Sequence, residues 1–177
     1  MRFINTWTIY WTWSARIERA FRLDFRPITP DGCNIYGVGQ KDFLIMMVIL
    51  ALLVTSLLFG GMVLFSFGFA AFLFSALPPD MARQAIRKAF PHFYLFVFIS
   101  ATISAGLIVS SDILAFGLMA FIGISTLFAR QILMPEINRA TDGGFKQRFK
   151  YLHAASVVLT LFHIGISGLV LVRFIMI

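Results

Sequence analysis

The sequence predicts an all-α integral membrane protein. A four-transmembrane-helix bundle over residues 43–177 follows an N-terminal amphipathic, interfacial or extended segment over residues 1–42. Three observations predict it. Of 177 residues, 59% are hydrophobic and only 13% charged, with a mean hydropathy of +0.87; a soluble domain carries about 25% charged residues. Half that charge cannot cover a water-facing surface. Next, Phe43–Leu77, Pro91–Ser110, Ile113–Met134 and Tyr151–Ile177 are apolar runs, each long enough to cross about 30 Å of hydrocarbon, which takes roughly 20 residues. Finally, the Lys and Arg residues behind the net charge of +7 sit in polar segments between these runs, where they meet anionic headgroups. A soluble enzyme, a disordered chain and a free nucleic-acid-binding domain are excluded. Cys33 is the one cysteine, so no internal disulfide and no multi-cysteine metal site can form.

The first forty residues lack the apolar core and small-residue cleavage site of a secretory signal, so the segment is expected to be retained. Phe3, Trp7, Tyr10, Ser14, Ile17 and Phe21 recur at helical spacing, with Arg16, Arg19 and Arg22 mostly off that stripe. Aromatic rings with a polar edge favour the headgroup level. The reading is an interfacial or partner-contacting helix, using Phe3, Trp7, Tyr10, Ile17 and Phe21, and then an extended linker through Pro27, Pro30, Gly32, Gly37 and Gly39.

The first span is the longest and would reach about 50 Å as one helix at 1.5 Å per residue. A break at Gly60-Gly61 would leave two arms too short to cross, so one long helix is expected. Pro78-Pro79-Asp80 ends it, and Met81–Phe90 reads as an amphipathic turn or short helix. Pro91 then suits the first turn of the second span, where its missing N–H goes unused. Ser110-Ser111-Asp112 is a tight hairpin, with Asp112 placed to cap the third span. Pro135 and Asp142-Gly143-Gly144 mark the last loop.

An even span count puts the loops at residues 78–90 and 135–150 on one side. They bring Arg83, Arg87, Lys88, Arg130, Arg139, Lys146, Arg148 and Lys150 near the membrane. Arg26, Lys41 and Arg173 stand opposite, and Arg2, Arg16, Arg19 and Arg22 in the tail weigh against the assignment. The positive-inside rule makes the two basic loops cytoplasmic.

Ionisable groups within a bilayer are the default functional candidates. No Asp, Glu, Lys or Arg lies mid-span; Arg173 is near enough to an end to snorkel outward. That argues against proton pumping and ion-coupled transport and leaves three histidines. His153, Ser156, Thr160, His163 and Ser167 step by 3, 4, 3 and 4 along the last span, within roughly 80° of one another at 100° per residue. This polar seam is expected to face the bundle, because lipid offers it no partner. Interhelical hydrogen bonding is the favoured reading; a ligand or metal track through His153 and His163, holding copper or zinc, is the alternative. His92 and His153 enter from the same side, the arrangement an axial pair on a haem b iron needs. His163, about 15 Å deeper, cannot share a metal ion with His153. No cofactor is the primary expectation. Gly61, Gly68, Ala71 and Ser75 on the first helix, Gly117, Ala120 and Gly123 on the third, and Gly165 and Gly168 on the fourth read as faces for close packing.

Two stretches carry a family resemblance. One is Leu77-Pro78-Pro79-Asp80-Met81-Ala82-Arg83, running on to Phe90-Pro91-His92-Phe93-Tyr94. The other is Met134-Pro135-Glu136-Ile137-Asn138-Arg139 with Phe149-Lys150-Tyr151-Leu152-His153-Ala154-Ala155-Ser156. They resemble a bacterial membrane family, domain of unknown function 4149, itself similar to eukaryotic transmembrane protein 205. The resemblance covers about residues 42–177. It departs where the family often has a proline near the end of its first helix and this chain has Ala71. It implies a four-span fold and brings no activity or cofactor with it.

The expected role is a non-catalytic accessory or scaffolding subunit of a larger complex in the bacterial inner membrane, in contact with lipid and other membrane subunits and not with nucleic acid. The alternatives are a small permease or metal-handling protein using the seam, and a haem-binding electron-transfer subunit.

Overall fold

In a computed structural model, residues 40–176 are described, and they form four long helices. The expectations for Phe3, Trp7, Tyr10, Ile17 and Phe21 lie outside the described residues. Helix α1 runs Asp42–Ala76, α2 Pro79–Ile108, α3 Ile113–Asp142 and α4 Lys146–Met176, each long and apolar enough to cross a membrane. The chain is a multi-pass membrane protein.

Length demands an unbroken α1, and Gly60-Gly61 does not interrupt it. The irregularity falls next to that pair, where Leu64–Phe69 widens into a π segment. Leu77, extended at φ −124° and ψ 150°, ends the helix, and Pro79 opens α2 at once.

Two expected boundaries are corrected here. Met81–Phe90 is not a separate short helix: α2 is continuous from Pro79 to Ile108, and Pro91 sits inside it. Pro135 does not begin the last loop either; α3 continues past it to Asp142. Proline deprives the carbonyl four residues earlier of a donor, which ends most helices in water. Here the turns on either side of each proline stay helical, so one backbone bond is lost and the rest of the ladder is kept. Before Pro135 a local readjustment is visible. Ala129–Leu133 forms a π segment in which the Met134 N–H donates to the Ala129 carbonyl.

The last turn of α3 closes in a Schellman motif. The Phe145 N–H reaches the Ala140 carbonyl (2.9 Å) and the Gly144 N–H reaches that of Thr141 (3.2 Å). Gly144 takes φ +69°, a left-handed conformation that suits glycine.

The core lies along the helix axes: Leu58 and Met62 of α1, Val97 and Ile108 of α2, Met119 and Ile122 of α3, and Val170 of α4 are all buried. Small residues permit the closest approaches. A Cβ on Gly61 would lie 2.6 Å from the Phe96 ring, and one on Gly168 would touch Phe59 at 3.4 Å. The expected small-residue faces hold only in part. Gly117 and Gly165 face open space, and Gly68, Ala71 and Ser75 are exposed on α1.

Each end of the bundle is tied by charge. At one end, Asp112 caps α3, its Oδ1 accepting from the Leu114 and Ala115 N–H groups at 3.0 and 3.1 Å. Its Oδ2 accepts from Arg173 Nε at 2.8 Å. Arg173 therefore folds onto the hairpin and does not snorkel free, because a nearly buried carboxylate lies within its reach. At the other end, Arg87 grips Asp142 with two hydrogen bonds of 2.7 and 2.8 Å. Glu136 accepts from both Arg139 and Arg148, at 2.6 Å each.

Burial alone would raise the Asp112 pKa, but the Ala115 N–H, Arg173 and the Leu114 N–H outweigh it and hold the carboxyl below its ordinary value. Its contribution is thus complete above the unfolded-state pKa and lost as pH falls through the depressed folded value. Asp112→Asn keeps the cap acceptor and is expected to abolish this acid dependence in detergent-solubilised protein. Asp112→Ala loses the cap as well and should cost about 1 kcal/mol more, read from thermal unfolding at pH 7.

Candidate functional site

The best-defined polar site is where α4 meets α3. His163 is only 4% exposed, and its Nε2 lies 2.8 Å from Ser125 Oγ. The Ser125 hydroxyl has one proton, and the Phe121 carbonyl stands 2.6 Å away to accept it. The network therefore assigns the ring proton to Nε2, which donates to Ser125. Phe121 meets the imidazole edge to face, centroids 6.4 Å apart, and Phe162 packs on Phe121 in the same manner at 6.1 Å. A hydrogen-bonded imidazole in an aromatic collar joins two helices.

The rest of the seam divides. Ser156 and Ser167 are buried and Thr160 half-buried. Their hydroxyls bond to their own helix, at the carbonyls of His153, Ile164 and Ser156 respectively, over 2.8 to 3.0 Å. Such back-bonding satisfies a hydroxyl without a ligand. His153 departs from expectation: it is exposed and stacked on Phe149, with centroids 5.5 Å apart and planes 5° from parallel. It lies seven residues into α4, about 10 Å from the helix start, a depth at which an imidazole has no need to turn inward.

His92 and His153 are not brought together. His92 is exposed and lines a groove between α1 and α2. The two share no hydrogen bond, ring contact or cavity among the described residues. Nor does any group of three or more His, Cys, Asp or Glu side chains gather among the described residues.

Four polar residues escaped sequence reasoning. Thr55 and Ser104, both fully buried, bond hydroxyl to hydroxyl at 2.6 Å between α1 and α2. Ser125 is the partner of His163. Thr126, 1% exposed, carries the buried hydroxyl left without a partner among the described residues. A lone hydroxyl in an apolar run was the available signal, but its partner depends on interhelical register.

Residues 53–146 match the model of a family described as Domain of unknown function (DUF4149). No curated protein matches, and no solved structure matches. The likeness to transmembrane protein 205 thus rests on the sequence motifs alone. The match takes in the α1–α2 groove, the Asp112 hairpin and Ser125, and it ends before His153 and His163.

If His163 serves as an interhelical bond, His163→Asn retains a donor and is expected to be tolerated. His163→Leu and Ser125→Ala should each cost about 1 kcal/mol. The double variant should cost little more than either alone, read by thermal unfolding. Loss of a bound metal or ligand from His163→Asn with unchanged stability would instead establish the ligand reading.

Proposed function

The chain belongs to the DUF4149 family, and on that premise we propose that it is a non-catalytic accessory or scaffolding subunit of a larger complex in the bacterial inner membrane. One observation carries this reading: of the four helices, α1 buries the smallest share of its apolar length in its own bundle. Only 17% of its most apolar stretch is buried, against 44% for α2. Ile45, Ile49, Leu53, Leu57, Leu64 and Phe67 all stand exposed along it. Membrane helices associate through packing, and a long bare helix at a bundle's edge offers a neighbour that surface. The interior polarity supports the same reading, because Thr55, Ser104, Ser125 and His163 are engaged in joining helices. The aromatic tail, residues 1–42, is assigned to a partner or the interface.

The basic loops are assigned to the cytoplasm. Ion pairs gather their helix ends at one end of the bundle, where Asp80, Glu136 and Asp142 are outnumbered by Lys and Arg. The charge asymmetry follows the positive-inside rule.

Two measurements check these assignments. A photo-crosslinking residue at Leu53 or Leu57 is expected to capture another protein chain in native membranes, while one at Ile103 of α2 captures chiefly lipid. Lipid adducts alone at all three positions would refute the subunit role. In a Cys33→Ser background, cysteines at Gln84 and Gln147 should resist an impermeant label on intact cells while one at Gly39 reacts. The reverse pattern inverts the topology.

A further inference from the structure

The groove between α1 and α2 has a volume of about 760 Å³, within the range of ligand pockets, about 300–1,000 Å³. Its α1 wall includes Gly61, Gly68 and Phe72, and its α2 wall His92 and Phe96. From Phe72 to Gly61 the α1 wall advances eleven residues, about 16 Å at 1.5 Å each. The floor is firm: Phe65 and Phe93 stack with centroids 4.0 Å apart and planes 8° from parallel, and Phe90 meets Phe65 edge-on at 5.5 Å. One wall departs from a regular helix, and the other carries a proline. The π segment Leu64–Phe69 forms part of one, and Pro91 immediately precedes His92 in the other. Such π segments recur at functional sites.

Phe93 stacks on Phe65, so His92 beside it stands level with Phe65, about halfway along the groove. His92 is the one ionisable side chain of the lining. Lys88 stands one turn earlier on α2, on the same face by its i, i+4 spacing, exposed and without an ion pair among the described residues. Its neighbours Arg83 and Arg87 are each engaged with a carboxylate. Basic pockets between membrane helices hold anionic headgroups.

We propose that this groove is a binding site for an anionic phospholipid, with the headgroup phosphate held by Lys88 and a His92 N–H and one acyl chain lying from Gly68 toward Gly61. The apolar lining and the unpaired ammonium of Lys88 fit that occupant together. A neutral helix would leave Lys88 without a counter-charge.

Native mass spectrometry of the full-length protein, with phosphatidylglycerol and phosphatidylcholine of matched chains, tests it. Wild type is expected to retain one phosphatidylglycerol about fivefold in preference to phosphatidylcholine, the factor one basic side chain supplies at an anionic surface. The Lys88→Ala/His92→Ala variant should bring the ratio near one. Gly68→Leu should expel both lipids, since its added side chain enters the groove and its Cβ meets only the tip of Leu64, at 3.1 Å. If Gly68→Leu lowers the unfolding temperature, Ala89→Leu in the same lining provides the obstruction instead. Equal retention of the two lipids by wild type, undiminished preference in the double variant, or full retention in a folded, blocked variant each overturns the proposal. So does a second protein chain, or a second copy, displaced by the blocking variant while lipid retention is unchanged.

Discussion

Hydrocarbon contains no water, so every polar group carried into it must find its partner inside the protein. Most of the bundle's local geometry follows from that constraint. It sends the hydroxyls of Ser156, Thr160 and Ser167 back to carbonyls of their own helix. The groups that cannot be satisfied locally are paired across helices: Thr55 with Ser104, and His163 with Ser125. These bonds carry direction, which apolar packing lacks, and so they select the rotation of each helix about its axis.

Charge performs a different task at the two ends. Asp112 closes the hairpin, caps α3 and holds the last turns of α4 with a single carboxylate. At the opposite end Arg87 with Asp142, and Glu136 with two arginines, tie the starts of α2 and α4 to the end of α3. Exposed pairs of this kind contribute about 0–1 kcal/mol each; their value lies in fixing which helix ends are neighbours. α1 takes no part in any of these ion pairs among the described residues. It joins the bundle through the Thr55–Ser104 bond and through close contacts such as Gly61 on Phe96.

The sequence was legible wherever a signal was local. Four apolar runs, the Asp112 cap, the unbroken first helix and the glycine at the end of α3 each follow from length, a side-chain oxygen beside backbone donors, or a left-handed φ. Pro91 and Pro135 misled because an internal proline removes one backbone bond, and here the turns on either side hold. The seam was half legible. Its period placed Ser156, His163 and Ser167 inward, but period carries no information on depth, and His153 sits near the start of α4, where an exposed ring is tolerated. Ser125 and the Thr55–Ser104 pair were invisible because the partner of a polar group across a bundle depends on register between helices. The same dependence separates Gly61 and Gly168, which touch neighbours, from Gly117 and Gly165, which face open space.

The distribution of irregularity leads to a last step. A helix bundle held only by packing has no reason to widen its first helix at Leu64–Phe69, where no proline requires it and no interhelical hydrogen bond depends on it. The second π segment, at Ala129–Leu133, has a local cause in Pro135; the first has none in its own sequence. What it does is open the face of α1 that carries Gly61, Gly68 and Phe72 beside the one histidine that α2 turns outward. The interior histidine, by contrast, is enclosed and bonded. The proposed subunit and lipid contacts therefore both fall on the lateral surface, along α1 and in the α1–α2 groove.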